Sequence, residues 1–223
     1  RIDAPAYVIA NVTSHADKTD GVASYTLYAI GDLRSEAHID TIKAAAASGQ
    51  RVLIDSGAFG LASAFGSKHD LDFNDAIAMP IEDIDPDGTA RARWHKIIDA
   101  VRDHCWGYVE IDIGGKDRKR EQRAAMEEQG YRPIPVFHAL NDGWEYFDEL
   151  ASTYDRICVG NLVKADNATR LDIFARLAEA RKGKRVQWIH ALGVTPSPTW
   201  FAAPTESCDS TAWQSTYMYG GPC

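Results

Sequence analysis

Three aspartates stand where short predicted strands end, a position from which a carboxylate can take part in chemistry. Asp209 lies among the small polar residues of 207–211 and is placed to attack an electrophile. Asp55 ends an apolar run at 52–54 and is followed by glycines, the pattern of a strand that delivers a side chain into a pocket. Asp112 repeats this arrangement. Two carboxylates at one site can act as nucleophile and general acid.

Alternating strands and helices must position these acids. Apolar runs predict strands at 25–30, 52–55, 108–112, 134–137, 157–160 and 186–190. Helical spacing predicts helices at 38–48, 90–104, 118–129, 143–152 and 168–181, and a short helix at 198–203 precedes Asp209. Strands and helices in this rhythm indicate parallel βαβ units. The whole chain, 1–223, is predicted to form a single domain.

The predicted fold is α/β, a (β/α)8 TIM-type barrel. Polar residues end many different strands, which favours a barrel over a doubly wound sheet: Asp55, Asp112, His138, Gly160 with Asn161, His190 and Asp209. No GxGxxG or phosphate-loop spacing follows any predicted strand. The six apolar runs and the segment that carries Asp209 give about seven strands, so the barrel is either irregular or completed around 216–219. The acidic segment 65–88 is expected to be an insertion after the second strand, acting as a lid or recognition loop.

Composition narrows the class of protein. The net charge of -8 argues against a generally basic surface that coats nucleic acid. The four cysteines are widely separated, without the close pairs of a zinc knuckle or redox motif. No secretory signal or membrane span is recognised, so we expect a cytoplasmic protein, in the host cytoplasm if phage-encoded.

A basic run follows Asp112 and would face the same end of the sheet. Its Lys116, Arg118, Lys119, Arg120 and Arg123 are predicted to contact the phosphates of a nucleic acid. The alternative is the solvated face of an amphipathic helix.

Residues 55–59 read Asp-Ser-Gly-Ala-Phe, and residues 207–211 read Ser-Cys-Asp-Ser-Thr. The first segment resembles the Asp-Ser-Gly-Gly-Phe/Tyr motif of the tRNA-guanine transglycosylase superfamily, and the second resembles the segment that bears its nucleophilic aspartate. Between them, Asp112, 135–138, 159–162 and 190–194 match further stations in the same order. The segment around Asp209 is most similar to phage and bacterial enzymes that place 7-deazaguanine bases in DNA.

The resemblance implies a base-exchange reaction in which guanine in DNA is replaced by a free 7-deazaguanine, preQ0 or a derivative. Asp209 would be the nucleophile and Asp55 the general acid. The base-binding residues would be Asp112, Ser56, Gly57, Phe59, His138, Gly160, Asn161, His190, Leu192 and Gly193. Phe59 and Leu192 match positions that sandwich the base, and His138 falls where the tRNA enzymes carry a base-binding glutamine.

This chain departs from the tRNA enzymes in one respect. Their zinc site of clustered cysteines and a histidine has no counterpart after Asp209, where only Cys223 remains. We therefore expect no cofactor and no metal site, and DNA as the polymer.

Other interpretations stay open on the sequence alone. The same chemistry on tRNA, a non-catalytic barrel that binds a partner enzyme and a metal-dependent hydrolase are alternatives. Asp55, Asp112 and Asp209 could each cap the helix that follows instead. The sequence does not decide which 7-deazaguanine is used, whether a target sequence is read, or whether a homodimer or partner protein is involved.

Overall fold

The computed structural model describes residues 6–11, 25–33, 35–194 and 204–210, the first of these ranges by its backbone. The strands are β1 (Ala6–Asn11), β2 (Tyr25–Ala29), β3 (Arg51–Asp55), β4 (Gly107–Tyr108), β5 (Val136–His138), β6 (Arg156–Gly160), β7 (Trp188–Ala191) and β8 (Ser207–Ser210). The helices are α1 (Glu36–Ala47), α2 (Ala58–His69), α3 (Phe73–Ala78), α4 (Ile81–Ile84), α5 (Thr89–Val101), α6 (Gly115–Glu128), α7 (Trp144–Thr153) and α8 (Asn167–Ala180).

These strands form a parallel sheet within a mixed α/β fold. The strand order is β4-β3-β2-β1-β8-β7-β6-β5, and each neighbouring pair is parallel. The segments beside the two outermost strands also meet, because Val109 and Ile134 form a parallel bridge. There the Ile134 N–H donates to the Tyr108 carbonyl at 2.7 Å, and the Glu110 N–H donates to the Ile134 carbonyl at 3.1 Å.

Side chains alternate between two sides of the sheet, as the two-residue period of a strand requires. Leu53 packs with Leu27, Val136, Cys158 and Trp188 in a cluster made by strand residues. The next residues along the strands point to the helices: Ile54 joins the cluster that contains α1 and α5, whereas Val159 and Ile189 join the cluster that contains α7 and α8. The helices therefore cover one side of the sheet, and the strand residues fill the other.

The predicted α/β alternation is confirmed, with three corrections. The strand predicted at 108–112 ends at Tyr108, because β4 covers only Gly107–Tyr108. β1 was not predicted, so the strand that carries Asp55 is the third and not the second. Segment 65–88 is not an open loop, because it continues α2 and forms α3 and α4. Ala76, Ile77 and Ile81 are buried in the core there, which ties the segment to the body of the fold. The predicted helix 198–203 and the residues 216–219 lie outside the described residues.

Within the described ranges, none of the helices combines the length and the apolarity that a membrane crossing requires.

Candidate active site

The three aspartates singled out in the sequence lie near one another at the carboxyl ends of the strands. Asp55 is the last residue of β3, Asp112 follows β4, and Asp209 lies in β8. Burial, followed by the negative charges of Asp112 and Asp209, raises the pKa of Asp55 to about 7, although the backbone N–H groups of Gly57 and Ser56 act in the opposite direction. We call these aspartates, with His138 and His190, the strand-end cluster.

The turn after β3 holds the half-buried Asp55 carboxylate. Its Oδ2 accepts a hydrogen bond from the Gly57 N–H at 3.1 Å. Gly57 has a φ of 77°, and a Cβ there would lie 3.1 Å from the backbone nitrogen of Gly31. A glycine suits this position because the chain turns sharply in the left-handed region and runs against another backbone segment.

Asp112 is buried and hydrogen-bonded through both oxygens. The Ser56 hydroxyl donates to Oδ1 at 3.0 Å, and His138 Nε2 lies 2.8 Å from Oδ2. Burial raises the pKa of Asp112, but the His138 ring, Lys119 and the Ser56 hydroxyl outweigh it, and the net pKa is lowered. Asp112 therefore stays a carboxylate at neutral pH, while Asp55 beside it can hold a proton.

His138 is fixed from two directions. Its backbone N–H donates to Asp142 Oδ2 at 2.7 Å. Gly160 lies against its ring, since a Cβ added to Gly160 would come 2.9 Å from His138 Cδ2. The lack of a side chain at the end of β6 thus leaves room for the imidazole that binds Asp112.

Asp209 receives two hydrogen bonds on the same oxygen. The Gly193 N–H donates to Oδ1 at 3.0 Å, and His190 Nε2 lies 3.0 Å from that atom. His190 Nδ1 lies 2.8 Å from the Ser207 hydroxyl. Among the described residues no hydrogen bond reaches Oδ2 of Asp209. Oδ1 of Asp209 is thereby anchored by two partners.

Asn161 has a buried acceptor that the described residues leave unused. Its backbone is in the left-handed region with a φ of 67°. Its Nδ2 donates to Asn141 Oδ1, whereas its own Oδ1 is buried with no hydrogen-bond partner among the described residues. Such an atom is costly to bury, so it is suited to accept a hydrogen bond from a ligand.

The two predicted stacking residues differ in exposure. Phe59, in the first turn of α2, is 47% exposed, and its ring centroid lies 4.8 Å from that of Phe73. Leu192 is partly buried and packs against the cluster that contains Trp188. An exposed ring close to Asp55 in the chain offers a face to a planar heterocycle.

The predicted phosphate-binding run divides into two groups. Lys119 and Arg123 are buried on the inner face of α6, where Lys119 pairs with Asp142 at 2.5 Å and Arg123 pairs with Glu110 at 2.8 Å. This burial corrects the expectation that these two contact phosphate, because the helical period of α6 turns them towards the strands.

The other three cations of that run lie towards solvent, but acids accompany each of them. Lys116 pairs with Glu145, Arg118 with Glu121, and Arg120 with both Asp117 and Glu149. Their charge is therefore largely balanced at this surface.

Two polar residues of the site were missed from the sequence. Ser207 lies two positions before Asp209 in β8, and strand periodicity could have indicated that both point to the same side. Asn141, the partner of Asn161, carried no such signal, since it lies in a turn after β5. His190 was predicted to bind the base, and the structure directs its ring nitrogens to Ser207 and Asp209.

The cluster therefore combines an ionised acid at Asp112, a titrating acid at Asp55 and an anchored carboxylate at Asp209. No group of three or more His, Cys, Asp or Glu side chains that could hold a metal ion is found in the part of the chain that the structure describes. No protein-family model matches the chain, and neither does any curated protein.

Proposed function

We propose that this protein is a transglycosylase that exchanges guanine in DNA for a 7-deazaguanine, preQ0 or a derivative, through a covalent bond between Asp209 and the sugar. The observation that carries the proposal is the coexistence of two differently prepared carboxyl groups, the anchored Asp209 and the titrating Asp55. Glycosyl transfer with retention needs one carboxylate as nucleophile and one carboxyl as acid.

In the first displacement, Oδ2 of Asp209 attacks C1′ of the target nucleotide as the bond from C1′ to the guanine nitrogen breaks. The bonding electrons leave with the base, and Asp55 supplies a proton to it. The raised pKa of Asp55, about 7, keeps a proton available near neutral pH.

In the second displacement, the incoming base loses its ring N–H proton to the Asp55 carboxylate and attacks C1′. The bond from C1′ to Oδ2 breaks, and Asp209 recovers its negative charge. Two inversions at C1′ give net retention, and both acids return to their starting states.

Base recognition follows from the polar atoms around these acids. Asp112 remains ionised and has lone pairs beyond those used by Ser56 and His138, so it can accept hydrogen bonds from the N–H edge of a guanine-like base. Asn161 Oδ1 offers a further acceptor. Phe59 stacks on the ring of the flipped base. Extracting that base costs a few kcal/mol of stacking, which these contacts offset.

We also propose that the sheet closes into a (β/α)8 barrel. The eight-strand order and the bridge between Val109 and Ile134, which joins its two ends, support closure. The single cluster made by residues from β2, β3, β5, β6 and β7 supports it as well. Functional groups at the carboxyl ends of several strands are what such a barrel presents.

We propose that this chain makes few contacts of its own with the phosphates of the nucleic acid. Its exposed basic residues Lys116, Arg118 and Arg120 are already paired with acids, and the net charge is -8. A homodimer or a partner protein could supply additional phosphate contacts.

The test uses duplex DNA and tRNA, each carrying labelled guanine, incubated with the protein and preQ0. We expect release of guanine from DNA, and a drop of roughly 10³-fold or more in Asp209→Asn. Asp40→Asn, an exposed carboxylate on α1, is the matched control and should retain the rate. Release from tRNA alone would move the substrate to RNA. No release from either polymer would contradict the proposal.

A further inference from the structure

The environment of His190 differs from that of a residue that reads a base. Both of its ring nitrogens are occupied, Nδ1 by the Ser207 hydroxyl at 2.8 Å and Nε2 by Asp209 Oδ1 at 3.0 Å. The residue is fully buried, and its ring stacks on Trp188 with an interplanar angle of 10°. The ring therefore has a fixed plane and no unused polar atom.

From this geometry we infer that His190 is a positioning residue: together with the Gly193 N–H it anchors Oδ1 of Asp209, so that Oδ2 is the oxygen presented to the sugar carbon. The inference rests on the proposed function and assigns a new role within that site. It replaces the base-binding role that the sequence motif predicted for His190.

The hydrogen-bond directions follow from the charge of Asp209. A carboxylate can only accept, so the proton of the imidazole must reside on Nε2 when Asp209 is ionised. In the neutral imidazole, Nδ1 then has a lone pair that accepts from the Ser207 hydroxyl. Ser207, His190 and Asp209 thus form a directed chain, in which the Asp209 carboxylate selects the tautomer and the Ser207 hydroxyl completes the hydrogen bonding of Nδ1.

The strand register keeps this chain in place. His190 pairs with Ser207 across β7 and β8, and with Cys158 across β6 and β7. Cys158 is buried, and its pKa is raised well above the ordinary value by burial and by the charges of Asp55, Asp112, Asp209 and Glu110. It therefore faces His190 as a neutral thiol.

Two donors on Oδ1 also affect the second displacement. When the bond from C1′ to Oδ2 breaks, its electron pair returns to the carboxylate and spreads onto Oδ1. The N–H groups of His190 and Gly193 stabilise that charge without reorganising. A preorganised donor of this kind typically contributes about 10²–10³-fold in rate.

The test compares two substitutions at one position. His190→Phe keeps a ring that can stack on Trp188 but removes the donor, whereas His190→Gln places an amide N–H near the position of Nε2. In guanine exchange on DNA, we expect His190→Phe to lower kcat by at least about tenfold, with the KM for the free base changed less than about twofold. His190→Gln should recover a substantial part of kcat.

An increase in the KM for the base with little change in kcat would overturn the inference and return His190 to base binding. Equal losses of kcat in the Phe and Gln variants would also overturn it, since the donor would then be irrelevant. Thermal unfolding of both variants shows whether the fold is retained. Ser207→Ala should lower kcat less than His190→Phe does, because it removes only the hydrogen bond to Nδ1 and leaves the Nε2 donor in place.

A measurement without substrate separates this inference from the proposed function. In ¹⁵N-labelled protein, the His190 imidazole should carry its proton on Nε2, and that signal should move in Asp209→Asn. If the wild-type protein exchanges no base, the proposed function fails while this spectrum still tests the chain. A proton on Nδ1 would overturn the chain even in an active enzyme.

Discussion

Two neighbouring buried polar regions of this protein differ in whether their acids are paired with lysine or arginine. On the inner face of α6, Arg123 pairs with Glu110 at 2.8 Å and Lys119 pairs with Asp142 at 2.5 Å. All four side chains are buried. We call these the interior ion pairs. Each acid there has a cation, and Arg123 also donates to the hydroxyls of Tyr146 and Tyr154, at 3.1 and 3.0 Å.

The strand-end cluster lacks such matching. Among the described residues, no lysine or arginine forms a salt bridge with Asp55, Asp112 or Asp209. Burial, followed by the negative charges of Asp112 and Asp209, therefore raises the pKa of Asp55 without a cation to oppose it. A buried acid that is paired with a cation is compatible with a stable fold. A buried acid without a cation lowers stability, and such acids are typical of functional sites. The two regions share a link, because Asp142 binds both Lys119 and the backbone N–H of His138.

The largest effect on folding is expected when an interior ion pair is broken. Arg123→Met leaves Glu110 buried without its cation, so the free energy of unfolding should fall by about 3–5 kcal/mol. Arg120→Met on the same helix removes an exposed arginine and should cost at most about 1 kcal/mol. Urea unfolding of both variants measures the difference. Equal losses would contradict the distinction between balanced buried and exposed charge.

A smaller effect with the opposite sign is expected in the strand-end cluster. Because the pKa of Asp55 is raised to about 7 from 3.8, the folded state binds this proton more tightly than the unfolded chain does. The resulting stability is complete below about pH 4 and is lost as the pH rises through about 7. Asp55→Asn removes this loss, so the variant should be more stable than the wild type by about 2–4 kcal/mol above pH 7.

Near pH 4, the free energies of unfolding of Asp55→Asn and the wild type should be almost equal. The exchange activity of Asp55→Asn should be lost at every pH. Urea unfolding at a series of pH values provides the measurement. Asp40→Asn, an exposed carboxylate on α1, is the control. A gain in stability that does not depend on pH would show that the protonation of Asp55 is not its cause.

Much of the fold could be predicted because hydrophobic periodicity is local. The alternation around β3, β6 and α8 was predicted to within a few residues, since each segment carries its own apolar pattern. β1 was missed. The helices of 65–88 were taken for a loop because their few buried apolar residues, Ala76, Ile77 and Ile81, are interspersed with many acidic ones. β4 extends over only Gly107–Tyr108, and the apolar run beyond it gave no sign of where pairing would end.

The candidate site was predicted through the positions of its acids and not through their partners. A polar residue at a strand end signals its location, so Asp55, Asp112 and Asp209 could be found from the sequence. Their contacts depend on strands far apart in the chain. The bond between His190 and Asp209 and the burial of Lys119 follow from register and helix rotation, which composition does not encode.

The smallest expected effect separates base binding from stability at Phe59, which follows Asp55 closely in the chain. Phe59→Ala removes a ring that is 47% exposed, so the free energy of unfolding should change by less than about 1 kcal/mol. Loss of stacking should weaken binding of the free base by about 1–2 kcal/mol, or roughly tenfold in Kd. Calorimetric titration with preQ0 measures this change.

Leu171→Ala on α8 is the matched control, because Leu171 is 48% exposed and belongs to a different helix. It should leave base affinity unchanged. Equal affinity in the Phe59→Ala and wild-type proteins would remove the ring from the base site. A large loss of stability in Phe59→Ala would instead mean that the packing of Phe59 on Phe73 supports the fold, and this variant would then not separate base binding from stability.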